Sequence, residues 1–153
     1  MNTRERRTVK MRVLNEMKLS FLSRSVNEGF ARGAVSAFLM QLDPTVSQLA
    51  DIKTAVSEAV TNCIVHAYPD GSGMIYITAK VLEDKRFVVS VRDRGCGIPD
   101  IKQAMEPLFT TGGEERAGLG FAVMQSFTDK IRVTSTPGKG TTVTMTKRLD
   151  CDE

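Results

Sequence analysis

Glycine is distributed unevenly along this 153-residue chain, and its clustering constrains the fold more than any other feature of the sequence. Eight of the twelve glycines lie between positions 95 and 140. They form four pairs: Gly95-Cys96-Gly97, Gly112-Gly113, Gly118-Leu119-Gly120 and Gly138-Lys139-Gly140. Glycine lets a backbone adopt positive φ and approach a ligand closely. The clustering therefore indicates a ligand-binding region built from backbone loops, although an ordinary turn is the better explanation of Gly138–Gly140 taken alone.

The phosphate-binding sequences of several other folds are absent. The chain has no G-x-x-x-x-G-K-[ST], which excludes a P-loop, and no G-x-G-x-x-G that opens a helix after a strand. It also lacks the His-Arg-Asp and Asp-Phe-Gly sequences of eukaryotic-type protein kinases. Gly118 and Gly120 precede an apolar stretch, so we expect them to open a helix whose free N–H groups bind an anion. A nucleotide site in this chain is therefore of another kind.

Composition excludes further classes of protein. Apolar residues make up 41% of the chain and charged residues 25%, as in a soluble domain with a core. No stretch approaches the roughly 20 apolar residues of a membrane helix, and the basic N-terminus lacks the apolar segment of a secretory signal. The three cysteines, Cys63, Cys96 and Cys151, are too few and too widely spaced for a disulfide framework or a zinc finger. We therefore expect a cytoplasmic protein without a membrane partner.

The positive net charge of +3 is concentrated at the N-terminus. Residues 1–12 contain five basic side chains and one acidic side chain, so the remaining chain is close to neutral. A near-neutral body with a basic tail is poor evidence for nucleic-acid binding, and we expect none. We interpret residues 1–14 as a flexible extension, residues 15–149 as one domain and residues 150–153 as an acidic tail.

Hydrophobic periodicity predicts a mixture of strands and helices. Alternation and β-branched residues predict strands at 17–23, 74–82, 87–92, 131–135 and 141–148. Helical periodicity predicts two long helices, one between Ser25 and Asp43 and one from Thr45 to Tyr68. A short helix at 100–105, a mobile loop at 106–117 and a helix at 119–127 complete the chain. This order predicts an α+β domain with helices on one face of a mixed, largely antiparallel sheet.

Each long helix has an apolar stripe that we expect to be buried. In the first helix we expect Ser25 to cap the N-terminus in a capping box with Glu28. The stripe of the first helix consists of Val26, Phe30, Ala34, Phe38 and Leu42. The stripe of the second helix consists of Leu49, Ile52, Val56, Ala59, Val60, Cys63 and Ile64.

Polar residues accompany the second stripe at intervals of four. Glu58, Asn62 and His66 are spaced so that they lie along one side of a helix. Carboxylate and amide oxygens beside an anion-binding loop suit Mg²⁺, which takes oxygen ligands and bridges phosphates. The spacing alone also fits a solvated helix face, and His66 near the helix end fits a structural role, such as a hydrogen bond to a carbonyl.

Asp93 ends a predicted strand directly before a glycine pair. An ionised carboxylate only accepts hydrogen bonds, so Asp93 is suited to select a ligand amino group. The alternative is an aspartate that forms a turn before glycine. Cys96, inside the pair, is expected to be a small buried side chain.

In combination these sequences resemble the GHKL superfamily of ATPases and kinases. Residues 58–62 (EAVTN) are similar to its N-box, and residues 93–97 (DRGCG) to its D-x-G-x-G box. Residues 118–121 (GLGF) are similar to its second glycine box and residues 138–142 (GKGTT) to its last. The resemblance implies the Bergerat fold, a two-layer sandwich with an ATP lid.

Other stretches narrow the resemblance to the anti-sigma F factors of endospore-forming bacteria. They lie at residues 38–45, 52–62 and 107–111, and the resemblance covers residues 15 to 148. This family consists of small serine kinases that also hold the sporulation sigma factor inactive. The chain departs from it in the basic extension before Asn15 and in a short, glycine-rich lid at residues 112–117.

The resemblance implies a role for each matching residue. Glu58 would be the general base for a substrate serine, and Asn62 would bind the Mg²⁺ that bridges the phosphates of ATP or ADP. Asp93 would accept the adenine amino group, with support from Thr141. The remaining implied nucleotide contacts are Gly95, Gly97, Thr110, Thr111, Arg116, Gly118, Leu119 and Gly120.

The resemblance also implies protein partners. A homodimer would bind one sigma factor F, and an anti-anti-sigma protein, phosphorylated on serine, would compete for it. Arg32 matches a family position on the partner-binding surface. Two alternatives share the ATP-site residues: a general-stress anti-sigma kinase, and a nucleotide-gated binding module without phosphotransfer, against which the presence of Glu58 argues. A histidine kinase fragment fits poorly, because His66 is the sole histidine and lies beside the N-box.

Overall fold

The computed structural model describes residues 11–69, 71–105 and 114–149, and for residues 114–119 it describes the backbone alone. Its five strands are β1 (Val13–Leu22), β2 (Met74–Leu82), β3 (Arg86–Asp93), β4 (Lys130–Thr136) and β5 (Gly140–Arg148). Its α-helices are α1 (Val26–Leu39), α2 (Val46–Asn62), α3 (Ile101–Ala104) and α4 (Glu114–Phe127). A 3₁₀ turn, Met40–Leu42, follows α1, and a π-helical turn, Cys63–Ala67, follows α2.

The strands form one sheet in the order β1-β2-β3-β5-β4. Every described strand pair is antiparallel, so the sheet is simpler than the mixed one expected. Two of the four pairs, β2–β3 and β4–β5, are joined by tight turns, since antiparallel neighbours can be joined by a short hairpin. Lys85, with φ of 60°, lies between β2 and β3, and Gly138, with φ of 77°, lies between β4 and β5. The α+β class predicted from the sequence is confirmed.

The hydrophobic core lies between the sheet and a layer formed by α1, α2 and α4. Alternate residues of β2 and β3 are buried, as expected for strands with one face toward the core. The second helix packs between α1 and α4 and contributes five buried residues to this core. Among the described residues, no helix combines the length and apolarity needed to cross a membrane.

The two long helices differ in how well the sequence predicted their burial. The stripe of α2 is confirmed, with every member buried or packed against the core. The stripe predicted for α1 is wrong in its first half, because Val26 is 70% exposed and Phe30 54% exposed, whereas Phe38 and Leu42 do pack against the core. The buried residues of α1 are instead Ala31, Val35, Ser36 and Leu39.

Helix ends also differ from the predictions. Ser25 makes no capping hydrogen bond with its side chain, so the predicted capping box is wrong. A capping box does begin α2, where Thr45 and Gln48 exchange hydrogen bonds between side chain and backbone. The last helix begins at Glu114 rather than at Leu119, which places Gly118 and Gly120 inside it. Two glutamates in the first turn favour this earlier start, since negative charge is stabilising there.

Candidate nucleotide-binding site

Asp93 lies at the end of β3 and is 6% exposed. Its Oδ1 accepts hydrogen bonds from the backbone N–H of Gly95 at 2.9 Å and of Thr141 at 3.2 Å. Both donors are fixed parts of the backbone, one in the loop after β3 and one in β5. They hold the carboxylate in one orientation, with Oδ2 turned away from them.

Glycine is required where two backbone segments meet beside Asp93. Gly140 has φ of 126°, and a Cβ there would collide with the carbonyl oxygen of Asp93. Gly97 has φ of 76°, and a Cβ there would lie 2.5 Å from the carbonyl oxygen of Thr136. Both positions combine a left-handed conformation with a close approach, so another residue would be strained twice. The glycine pairs thus bring the loop after β3 against the β4–β5 turn.

The hydroxyl groups of Ser135 and Thr141 form a network beside the carboxylate. Their oxygens lie 2.8 Å apart, and Ser135 Oγ accepts from the backbone N–H of Ile98 at 2.8 Å. Ser135 is also within hydrogen-bond distance of the carbonyl of Gly140, at 3.1 Å. Thr141 is 9% exposed, so this network fixes its hydroxyl position beside Asp93.

Cys63, in the turn after α2, contacts the free oxygen of Asp93. Its Sγ lies 3.5 Å from Asp93 Oδ2 and donates to it. Burial raises the pKa of the Cys63 thiol well above its usual value, and the neighbouring Asp93 charge raises it further. The thiol is therefore protonated at neutral pH and serves as a weak donor to the carboxylate.

Tyr68 connects the end of the helix layer to the loop after β3. Its hydroxyl donates to the carbonyl of Met74 at 2.6 Å and accepts from the N–H of Arg94 at 2.7 Å. Burial is the main cause of a raised pKa at Tyr68. Because the hydroxyl stays protonated, it can make both hydrogen bonds and keep residue 94 in place beside Asp93.

Glu58 and Asn62 lie one turn apart on α2 and face α4. A Cβ at Gly120 would lie 3.1 Å from Asn62 Oδ1 and 3.3 Å from Glu58 Oε2. The missing side chain at position 120 therefore leaves room for both polar groups between the helices. This juxtaposition, predicted from the N-box and the second glycine box, brings together residues 58 positions apart or more.

Asn62 has an incomplete set of hydrogen bonds. Its Nδ2 is buried and, within the described part of the chain, has no hydrogen-bond partner. A buried amide that lacks a partner is costly and calls for a ligand or an ordered water. No group of three or more His, Cys, Asp or Glu residues that could hold a metal occurs in the described ranges. The site fits a cation such as Mg²⁺ that takes few protein ligands and the rest from phosphates.

Arg32 lies on the exposed side of α1. Its Nη1 is 3.5 Å from Glu28 Oε1, an ion pair between residues four apart on the helix. The same carboxylate oxygen accepts a short hydrogen bond from the hydroxyl of Ser57. Ser57 directly precedes Glu58, so Glu28 connects the surface arginine to the turn of α2 that carries Glu58.

Several predicted site residues cannot be placed. Thr110 and Thr111 lie outside the described residues, as do the side chains of Arg116 and Leu119. The backbone of Gly118 lies in the second turn of α4. The predicted anion site at a helix N-terminus formed by Gly118 and Gly120 is therefore wrong for this conformation, because the helix starts earlier.

Other corrections concern the neighbours of the site. Cys96 is exposed rather than buried, and its thiol donates to the carbonyl of His66 at 3.2 Å. The π-helical turn interrupts the spacing by which His66 was grouped with Asn62. Sequence reasoning missed Ser135 and Tyr68 as supports of Asp93, and it assigned Cys63 to the core alone. The strand and helix periodicities that placed these residues contain no signal for such contacts.

Comparisons with known proteins show the family of the chain. A family model described as a histidine kinase-like ATPase domain matches residues 21–147. An anti-sigma F factor from Caldanaerobacter subterraneus subsp. tengcongensis is 60% identical over 136 residues, which cover 88% of this chain and 94% of the relative. An anti-sigma F factor from Thermoanaerobacter sp. (strain X514) is 57% identical over 144 residues, which cover 94% of this chain and 100% of the relative.

Solved structures show the same architecture. The RsbU and RsbW domains of a Mycobacterium tuberculosis protein match with a TM-score of 0.66 and 25% identity, over 88% of this chain and 32% of that one. The histidine kinase domain of the blue-light activated histidine kinase from Erythrobacter litoralis matches with a TM-score of 0.55 and 23% identity, over 80% of this chain and 61% of that one. The second likeness concerns the fold alone.

Proposed function

The chain belongs to the anti-sigma F factor family and contains a histidine kinase-like ATPase domain, and from this membership we propose that it is an ATP-dependent protein-serine kinase. In this proposal it binds the sporulation sigma factor F and keeps it inactive. It also phosphorylates a serine of an anti-anti-sigma protein, which inactivates that antagonist. The protein works in the cytoplasm as a homodimer.

One observation carries the proposal: the fixed carboxylate of Asp93 and the polar pair Glu58 and Asn62 border the same side of the sheet. Asp93 and Thr141 are buried on the face that carries the helices, and Glu58 and Asn62 lie on α2 in that layer. Cys63 joins the two groups, since it follows Asn62 and contacts Asp93. A nucleotide whose adenine lies at Asp93 would have its phosphates beside Asn62.

Asp93 would recognise the adenine. Its Oδ1 is occupied by two backbone N–H groups, so Oδ2 is the oxygen left to accept the adenine amino group. The Cys63 thiol shares this oxygen from the protein side. Thr141, held by Ser135, would support the ring directly or through water. Gly95 and Gly97 would let the loop backbone approach the nucleotide.

Asn62 would hold Mg²⁺ through its amide oxygen, and the cation would supply charge neutralisation between the phosphates. The unpartnered Nδ2 of Asn62 fits a phosphate oxygen as its acceptor. Gly120, packed against both polar residues, would permit the phosphates to approach α2. The family resemblance extends the proposed nucleotide contacts to Thr110, Thr111, Arg116, Gly118 and Leu119.

Glu58 would act as the general base. The substrate serine oxygen forms a bond to the γ-phosphorus while the bond from that phosphorus to the ADP oxygen breaks, and Glu58 accepts the hydroxyl proton. Phosphoryl transfer depends mainly on positioning and charge neutralisation, so one carboxylate and one cation suffice. Since Glu58 lies one turn from Asn62 on α2, it would meet the substrate serine at the phosphate end of the nucleotide.

The partner surface would be the exposed side of α1. Leu22, Val26 and Phe30 are large apolar residues that are 46%, 70% and 54% exposed. Arg32 lies on the same helix, and a planar guanidinium is well suited to anchor an interface. Val26 and Phe30 lie one turn apart on the exposed side of α1, and an exposed apolar patch of this kind is typical of a protein-binding site. Phosphorylation of the bound serine would add charge next to Glu58 and Glu28, which would expel the product.

Phosphate transfer from labelled ATP to the cognate anti-anti-sigma protein tests this proposal. We expect phosphoserine with the wild type and a loss of at least about a hundredfold with Glu58→Gln, the scale of a general base. Glu16→Gln, a matched change at an exposed glutamate on β1, should retain the activity. Transfer by Glu58→Gln at the wild-type rate would contradict the assignment, and no transfer by the wild type despite ATP binding would leave a nucleotide-gated binding module.

A further inference from the structure

A cavity of about 410 Å³ opens at the end of the sheet near Asp93. Three cationic side chains and three threonines border it: Arg92, Arg94, Lys139, Thr134, Thr136 and Thr142. Asp93, Ser135 and Thr141 also contribute to its wall, because they alternate with these residues along the strands. The side chains of these six residues have no role in the nucleotide site described above, whereas Asp93 and Thr141, which also border the cavity, belong to that site.

The cavity lies mainly on the face of the sheet that carries no helix. Arg92 pairs with Thr142, and Thr142 pairs with Thr134, so these three side chains form one row across three strands. Their neighbours Asp93 and Thr141 are buried under the helix layer, whereas Arg92 and Thr134 are exposed. Successive residues of a strand point to opposite faces, so a ligand bound to this row would lie across the sheet from the nucleotide.

Two of the three positive charges of the cavity are held by an aromatic ring, and none of the three forms an ion pair within the described residues. The guanidinium groups of Arg92 and Arg94 each lie 4.9 Å from the centre of the Tyr76 ring. Stacking on this ring orders both arginine side chains before a ligand binds. Binding then costs less side-chain entropy. In the described residues, the carboxylates that form ion pairs are those of Glu16, Glu28, Asp51 and Asp84, and none of them pairs with Arg92, Arg94 or Lys139.

We infer that this cavity binds a small phosphate-bearing anion at a site separate from the ATP site. Three cations exceed what a single carboxylate neutralises, and they match the several negative charges of an oligophosphate. Arginine recognises phosphate through paired N–H donors, and the threonine hydroxyls add further donors along the strand row. The cavity is large enough for a pyrophosphate group and its hydration.

Calorimetry of the full chain with pyrophosphate tests the inference. Saturating ADP and Mg²⁺ first fill the ATP site, and pyrophosphate is then titrated. We expect one pyrophosphate per chain for the wild type, and at least a tenfold loss of affinity for the double variant Arg92→Gln/Lys139→Gln. The matched control is Lys130→Gln/Arg132→Gln, which removes two positive charges from exposed positions on β4 further from the cavity. Affinity for the first ADP equivalent should be the same in all three proteins, which also verifies their fold.

The outcomes separate the possible sources of the phosphate. A second equivalent of ADP that binds the wild type and is lost in Arg92→Gln/Lys139→Gln identifies a nucleotide, whereas a single ADP equivalent identifies a free oligophosphate. The inference is overturned if neither pyrophosphate nor a second equivalent of ADP binds the wild type. It is also overturned if both double variants lose affinity equally, since that result indicates nonspecific attraction to the charge of the sheet face.

Discussion

Helices α1 and α2 lie side by side in one layer, yet they use their apolar residues differently. In α2 the residues Ile52, Val56 and Val60 are 1%, 0% and 0% exposed. In α1 the predicted core residues Val26 and Phe30 are 70% and 54% exposed. The buried residues of α1, Ala31, Val35 and Leu39, follow the predicted ones by one position, a rotation of about 100° around the helix.

The difference in burial between α1 and α2 suggests that the two helices have different roles. The apolar face of α2 fixes it against the sheet, so that Glu58, Asn62 and Cys63 keep fixed positions near the nucleotide site. The first helix buries a stripe of residues on one side and leaves Val26 and Phe30 on the surface. We propose that these exposed apolar residues form part of an interaction surface. We therefore interpret α2 as the helix of chemistry and α1 as the helix of recognition.

The largest expected effect is a loss of stability when a core residue of α2 is truncated. Ile52→Ala should lower the free energy of unfolding by about 2 to 5 kcal/mol, because it removes a fully buried side chain and leaves a cavity. Urea denaturation followed by circular dichroism measures this change. A loss below about 1 kcal/mol would show that α2 is not the anchored helix.

The next largest effect concerns the Asp93 carboxylate at the end of β3, which contacts Cys63 in the turn after α2. Asp93→Asn should weaken ATP binding by roughly 10- to 100-fold, the effect of losing a hydrogen bond to a charged group. The backbone donors of Gly95 and Thr141 require an oxygen at Oδ1, so the amide nitrogen would face the adenine amino group. Calorimetry measures the affinity, with Asp129→Asn as a control at an exposed aspartate. Unchanged affinity would remove Asp93 from the site.

In alkaline solution the Cys63 thiol should have a smaller effect, on the free energy of unfolding. Because the folded-state pKa of Cys63 is raised, the unfolded thiol loses its proton first, near pH 9.0, while the folded thiol keeps it. The unfolded state then binds fewer protons, so stability is complete below pH 9 and falls above it by at most about 1.4 kcal/mol per pH unit.

Unfolding at pH 8, 9 and 10 measures this dependence. Cys63→Ala should flatten the decline between pH 9 and 10, whereas Cys96→Ala, at an exposed thiol, should leave it unchanged. Tyr68 has a raised pKa as well and adds its own decline above pH 10. Equal slopes for the wild type and Cys63→Ala would contradict the buried, protonated thiol.

The smallest stability change is expected on α1. Val26→Ser should alter the free energy of unfolding by no more than about 0.5 kcal/mol, because the side chain is largely in water. The same variant should weaken binding of the sigma factor in a titration followed by fluorescence anisotropy. A large loss of stability, or wild-type affinity for the partner, would argue against a recognition surface.

The fold was largely predictable because most of its elements carry local signals. The strands β2 and β5 alternate cleanly and end at turns rich in glycine or charge, and α2 has a continuous apolar stripe. The strand β1 begins four residues before its predicted start at Met17, since its exposed first residues, Val13 and Leu14, do not alternate. The wrong face of α1 has a related cause: periodicity identifies an apolar side, but the partner that covers it need not belong to the same chain.

Only part of the candidate site could be predicted from the sequence. Glu58, Asn62, Asp93 and the glycine pairs were found because their sequences resemble those of a family. The supports supplied by Cys63, Tyr68 and Ser135 were not found, because each forms a contact between elements that are distant in sequence. The role of Glu28 was also missed, since it was expected to cap α1 and instead binds Arg32 and Ser57.

Steady-state phosphorylation of the anti-anti-sigma protein by Arg32→Ala and Glu58→Gln tests the division between the two helices most directly. We predict that Arg32→Ala raises KM for the protein substrate and leaves kcat unchanged, because it removes binding that is equal in the ground and transition states. We predict that Glu58→Gln lowers kcat and leaves KM unchanged. A lowered kcat with an unchanged KM in Arg32→Ala, or a raised KM with an unchanged kcat in Glu58→Gln, would contradict the assignment of recognition to α1 and chemistry to α2.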